Sequence, residues 1–106
     1  MKWGIVISTN KAEKAWNAVR LANFALKAGD TVTIYLIGEG VEAPEIVDEP
    51  FNVRTQLEKF LGGGGKILAC RTCLKNRQKK PSELHPFSSM EDLYKLILTA
   101  DRIVSF

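Results

Sequence analysis

The residues of this chain best suited to chemistry are its two cysteines, Cys70 and Cys73. They stand in Lys66-Ile67-Leu68-Ala69-Cys70-Arg71-Thr72-Cys73-Leu74-Lys75, an apolar run of strand length that ends in a Cys-x-x-Cys turn and then opens a helix. Such a strand would deliver both thiols to its carboxyl edge, where open α/β sheets usually place their ligands. A cysteine at a strand's end and a helix's first turn faces unpaired backbone N–H groups, which favour thiolate over thiol. Arg71 and Lys75 are close in sequence and are expected to add positive charge to the same effect.

Four uses compete for two thiols at this spacing. The first is a sulfur carrier or sulfurtransferase, in which a thiolate attacks sulfane sulfur, holds it as a persulfide and passes it on. The second is a dithiol–disulfide oxidoreductase, although a thioredoxin-like motif normally follows the first strand of its unit and opens a long helix. The third is a metal site. A tetrahedral zinc needs four ligands, and one pair with His85 falls short within one subunit. The fourth is structural, because cysteine is among the most buried residue types. His85, before Pro86 on an extended segment, is assigned no role, and nothing in the sequence calls for a cofactor or a resident metal.

The elements that must position these thiols follow from periodicity. Gly4 to Thr9 is a β-branched run and is expected to form a buried first strand. Asn10 is a candidate N-cap with Glu13 completing a capping box, followed by an amphipathic helix over Lys11 to Ala28 that ends at Gly29. Thr31 to Ile37 is a second strand, and strand, helix, strand implies a right-handed βαβ crossover. The acidic stretch after Gly38-Glu39-Gly40-Val41, with Pro44 and Pro50, is expected to be an irregular loop. Phe51 to Leu61 forms a second helix, ended by Gly62 to Gly65. Those four glycines are no phosphate cradle, because they precede a strand and open no helix.

After the thiols, Leu74 to Gln78 is expected to form a short helix, and Ser82 to Phe87 an extended connection with a brief strand. Ser88 or Ser89 caps a helix over Met90 to Ala100, with Glu91 completing a capping box if Ser88 is the cap. Asp101 to Phe106 closes as a strand. The alternation predicts a three-layer α/β/α fold with a mostly parallel sheet of about five strands, in one domain over residues 1–106.

The hydrophobic content of 45% suffices for a core without staples, and no apolar run has the length of a membrane span. With no secretory signal pattern, the chain is expected in the cytoplasm, where a lone Cys-x-x-Cys is seldom a permanent disulfide. The net charge is only +3, but it is unevenly spread. Asp30 to Glu58 holds seven acids and one base, and Lys59 to Lys80 holds seven bases and no acid. The basic block contains both cysteines and offers a surface for an acidic partner or tRNA.

Trp16-Asn17-Ala18-Val19-Arg20-Leu21-Ala22, Gly38-Glu39-Gly40-Val41, Ala69-Cys70-Arg71-Thr72-Cys73-Leu74-Lys75 and the ending from Met90 to Phe106 together resemble a DsrE-type protein over nearly the whole chain. The resemblance implies a DsrE/DsrF-like fold and small subunits that form dimers, trimers or hexamers. It also implies a sulfur-relay role with donor and acceptor proteins, as in the Tus proteins of tRNA thiolation and the Dsr proteins of sulfur oxidation. Cys70 matches the persulfide-bearing position after the third main strand, and Cys73 the second cysteine of a subset of relatives. Arg71 stands where many Cys-x-x-Cys relatives carry glycine, and Arg77-Gln78 where many carry Arg-Gly. The alternatives to a carrier are a non-catalytic oligomeric binding or redox-sensing module of the same fold, or a dithiol–disulfide oxidoreductase.

Overall fold

The computed structural model describes residues 1–106. The strands are β1 (Lys2–Ile7), β2 (Thr31–Leu36), β3 (Lys66–Cys70), β4 (Phe87–Ser88) and β5 (Arg102–Ser105). The α-helices are α1 (Ala12–Lys27), α2 (Val53–Gly62), α3 (Arg71–Asn76) and α4 (Met90–Thr99), and a 3-10 helix spans Gly38–Glu45. All five strands pair in parallel in the order β4-β3-β2-β1-β5. The expected α/β fold with a five-stranded sheet is therefore present.

Because parallel register puts paired residues on one face, the sheet sorts its side chains cleanly. Ile5, Ile34 and Ile67 align on one face and Gly4, Thr33 and Lys66 on the other. The first face carries the main core with α1 and α2: Ile5, Ile7, Ala18, Val19, Ala22, Ile34, Leu36, Leu57 and Phe60 are all fully buried. α4 covers part of the second face, where Leu96 and Ile103 close over Gly4. Small residues along α1 let it lie close to the sheet, which is why alanines fill its buried stripe. No helix is long and apolar enough to cross a membrane.

Several local expectations are corrected. Asn10 and Glu13 form no capping box. Lys11 is the N-cap residue without a side-chain bond, and the Asn10 amide instead donates to Glu42 at 3.3 Å. A partner 32 positions away thus outcompetes the local cap. At α4 the box is Ser89 with Asp92, one residue later than Ser88 with Glu91, because Ser88 is held in β4 beside Cys70. On α4 Leu96 is the buried residue, while Ile97 is half exposed.

From residue 46 to 52 the acidic stretch is irregular, as expected, but its first part is not. That part is the 3-10 helix, with Gly40, Val41, Ala43 and Pro44 buried. Its three-residue repeat eclipses side chains at i and i+3, so neither the helical nor the strand period marks it in the sequence. Finally, α3 begins at Arg71 and not at Leu74, so the Cys-x-x-Cys turn is itself the helix's first turn.

α3 ends with Lys79 N–H donating to the Leu74 carbonyl and Gln78 N–H to the Lys75 carbonyl, both at 2.9 Å, a Schellman closure. It requires a left-handed residue, and Gln78 supplies it at φ 57°. A side chain in that region costs about 1–2 kcal/mol, which glycine avoids at some loss of unfolded-state entropy. Gln78→Gly is expected to stabilise the protein by about 0.5–1 kcal/mol, read as a higher urea midpoint at unchanged slope. An unchanged or lower midpoint would mean that the Gln78 side chain makes up for the strain.

Candidate functional site

β3 ends at Cys70, whose sulfur serves as the N-cap acceptor of α3: the Cys73 N–H donates to Cys70 Sγ at 3.3 Å. One turn later Cys73 points back to the same place, and the two sulfurs lie 2.7 Å apart as free thiols. Cys70 is 7% exposed, and Cys73 is half-buried. Burial first, then the neighbouring Cys73 thiol, pushes the Cys70 thiol up, while backbone N–H groups of Cys73 and Thr72 pull the other way.

The 3-10 helix supplies the facing wall. Gly38 N–H donates to Cys73 Sγ at 3.2 Å. Arg77 donates through Nη1 to the Cys73 carbonyl at 3.1 Å and through Nε to Glu42 at 2.7 Å, and Asn10 braces the other Glu42 oxygen. Arg77 holds the Glu42 carboxyl below the usual carboxylate range. Lys79 forms an ion pair with Glu45. The acidic and basic blocks of the sequence therefore meet across the site and partly neutralise each other.

The floor below Cys70 is polar. Ser88 lies beside Cys70 in the β3–β4 register and donates to Asp92 at 2.7 Å. Tyr35, fully buried on the same face, donates its hydroxyl to the Ser89 carbonyl at 2.9 Å. Its pKa is pushed up to about 12 by burial first, then by the nearby Cys70, Asp92 and Cys73 charges. Only the neutral phenol is accommodated, so this contribution to stability is complete below pH 10 and is lost as pH rises through 12. The loss is on the order of 2 kcal/mol. Native-state tyrosinate absorbance should show one of the two tyrosines ionising only near pH 12. Tyr35→Phe should remove that step and flatten the stability loss above pH 10. Ionisation of Tyr35 at the ordinary value of 10 would mean that its hydroxyl is hydrated.

Of the residues singled out in the sequence, Cys70 and Cys73 come together, whereas Arg71 and Lys75 do not touch either sulfur. The Arg71 guanidinium stacks over the Phe87 ring at 5.7 Å, and Lys75 is exposed without an ion pair. The cation that grips the site is Arg77, and the donor on the Cys73 sulfur is the Gly38 backbone. Sequence reasoning missed both, together with Glu42 and Tyr35. The one available signal was the complementary charge of the two blocks. No group of three or more His, Cys, Asp and Glu side chains converges to hold a metal.

Parallel strands, thiols at the carboxyl edge and a helix-capping cysteine agree with a family model that matches residues 1–106, described as the DsrE/DsrF-like family. The chain belongs to the DsrE/DsrF-like family. It is 29% identical over 114 residues to protein MJ0989 of Methanocaldococcus jannaschii, covering 100% of both chains. It is 30% identical over 100 residues to protein MK0008 of Methanopyrus kandleri, covering 89% of this chain and 83% of that one. Among solved structures, the YchN protein of E. coli superposes with a TM-score of 0.83 at 20% identity over 100% of both chains. A conserved protein of Bacteroides thetaiotaomicron, BT1422, gives 0.78 at 21% identity over 99% of this chain and 94% of that one. At these identities the two structures establish the DsrE/DsrF-like fold of this chain and nothing finer.

Proposed function

We propose that this DsrE/DsrF-like protein is a sulfur carrier that takes sulfane sulfur on Cys70 as a persulfide, with Cys73 as the resolving thiol. The observation that carries this reading is the pair of free thiols 2.7 Å apart at the carboxyl end of β3. Their sulfurs accept backbone N–H groups of Cys73 and Gly38. Such donors stabilise sulfur anions, both the attacking thiolate and the perthiolate that follows. Arg71 and Lys75 act at longer range, as exposed charges around the entrance. The slight exposure of Cys70 restricts attack to small sulfane species or to the tip of a partner's persulfide side chain. A lone Cys-x-x-Cys suits the cytoplasm, where permanent disulfides are rare.

Intact-mass spectrometry tests the carrier in isolation on the Cys73→Ser chain. Exposed to benzenethiosulfonate without reductant, it is expected to gain one sulfur atom on the Cys70 peptide, lost again on adding a thiol. No gain, with slow and pH-insensitive alkylation of Cys70, would instead favour a binding module whose cysteines only pack.

The subunits assemble through the outer face of α4. Met90, Tyr94 and Leu98 are each more than 60% exposed on this helix, which leaves an apolar stripe beside the edge strand β5. Stripes of this kind usually mark contact surfaces, and a second copy would cover it in a dimer, trimer or hexamer. Leu98→Glu is expected to lower the molecular mass measured by light scattering to that of a monomer at micromolar concentration. A wild-type chain that is itself monomeric would rule this out. Acceptors are proteins or tRNA. With Arg77 and Lys79 engaged, tRNA contact would rest on Arg71, Lys75 and Lys80 and would weaken steeply with salt.

A further inference from the structure

We propose that the second thiol makes the persulfide short-lived: without a docked acceptor, the chain reduces the bound sulfane sulfur to sulfide and is left with a Cys70–Cys73 disulfide. This rests on the carrier reading and adds an activity to it. Its basis is the geometry of Cys73. A carrier needs only one sulfur, yet here a second is held 2.7 Å from the first. The hold comes from two elements: Gly38 N–H fixes the Cys73 sulfur, and Arg77, anchored on Glu42, fixes its carbonyl. An intramolecular nucleophile so placed acts at effective concentrations of about 10⁵ M or more in favourable cases, far above any free acceptor thiol.

The steps balance. The Cys70 thiolate attacks the outer sulfur of a sulfane donor such as a thiosulfonate. A Cys70 S–S bond forms, the donor's S–S bond breaks, and the sulfinate leaves with the electron pair. Cys73 then attacks the inner sulfur, Cys70 Sγ. The Sγ–Sγ bond forms and the outer sulfur departs with the bonding electrons, taking the Cys73 thiol proton to become HS⁻. The sulfane sulfur is reduced by two electrons and the two cysteines are oxidised by two, so the first turnover needs no other reductant. A dithiol reductant of the thioredoxin class would reopen the disulfide by exchange for the next. Attack on the inner sulfur also defines what an acceptor must do: it has to reach the outer sulfur from a bound complex before Cys73 closes.

The test treats fully reduced wild-type and Cys73→Ser chains with benzenethiosulfonate, which contains no sulfide, and follows sulfide by bimane trapping and protein by intact mass. The wild type is expected to release one sulfide per chain and to become two hydrogens lighter. Cys73→Ser is expected to hold its added sulfur at least about ten times longer and to release none. The serine hydroxyl in this variant retains an acceptor for Gly38 N–H, and matching circular dichroism confirms that the folds are comparable. A wild-type chain that gains sulfur and keeps it, with no sulfide, overturns this inference and leaves the carrier intact. Absence of sulfur gain in both chains overturns the carrier reading and this inference with it.

Discussion

Cys70→Ser is expected to abolish sulfur uptake, with sulfinate release from benzenethiosulfonate falling at least about a hundredfold. The serine oxygen fits the same N-cap position and accepts the Cys73 N–H that Cys70 Sγ accepts at 3.3 Å, so α3 keeps its cap and the fold changes little. What disappears is the nucleophile, since a serine hydroxyl with no base beside it stays protonated at neutral pH. In the wild type, burial and the adjacent thiol hold the Cys70 pKa above its ordinary value. Uptake should therefore rise with pH across and beyond the usual thiol range, and this rise should be missing from Cys70→Ser. Uptake that survives Cys70→Ser but vanishes with Cys73→Ser would move the carrier role to Cys73, the more exposed of the two.

The second large effect concerns the wall opposite the thiols. Gly40 lies in the 3-10 helix directly against the end of β1, and a Cβ there would collide with the Ile7 carbonyl. That carbonyl cannot retreat, because it already accepts the Ile37 N–H at 3.0 Å and belongs to a fully buried residue of a strand with neighbours on both sides. The 3-10 helix would have to lift instead, carrying Gly38 N–H away from Cys73. Gly40→Ala is expected to cost about 2–4 kcal/mol, read as a lower urea midpoint, and to accelerate alkylation of Cys73. Wild-type stability in this variant would mean that the segment is not seated on β1. Faster alkylation without loss of stability would mean that it moves freely, in which case Gly38 does not fix Cys73.

How much of this was legible in the sequence varies by element. Strands and α-helices were readable because each announces itself locally. The β-branched run of Thr31 to Leu36 and the three-and-four spacing along α1 are patterns of neighbours in the chain. The end of α1 at Gly29 was equally local, a glycine closing a helix in the left-handed region. The Cys-x-x-Cys at the end of β3 was likewise placed by its neighbours, because an apolar run followed by two thiols leaves few other arrangements. The 3-10 helix was not readable, since its buried Val41, Ala43 and Pro44 follow a period of three amid acidic residues.

The thiols' surroundings belong to the tertiary structure alone. Arg71 and Lys75 are sequence neighbours of the cysteines, yet helical geometry turns them toward Phe87 and solvent. Gly38 and Glu42 reach the site from 35 positions away from Cys73 and Arg77, respectively, because β2 and β3 are adjacent in the sheet and both release their chains at the same edge. Tyr35 crosses to Ser89 over 54 positions for the same reason. From the order of residues alone it followed that two thiols would emerge at the carboxyl end of a parallel strand in a DsrE/DsrF-like chain. Strand order decided which groups face those thiols, because proximity across a sheet is set by the pairing of strands and leaves no periodic trace along the chain.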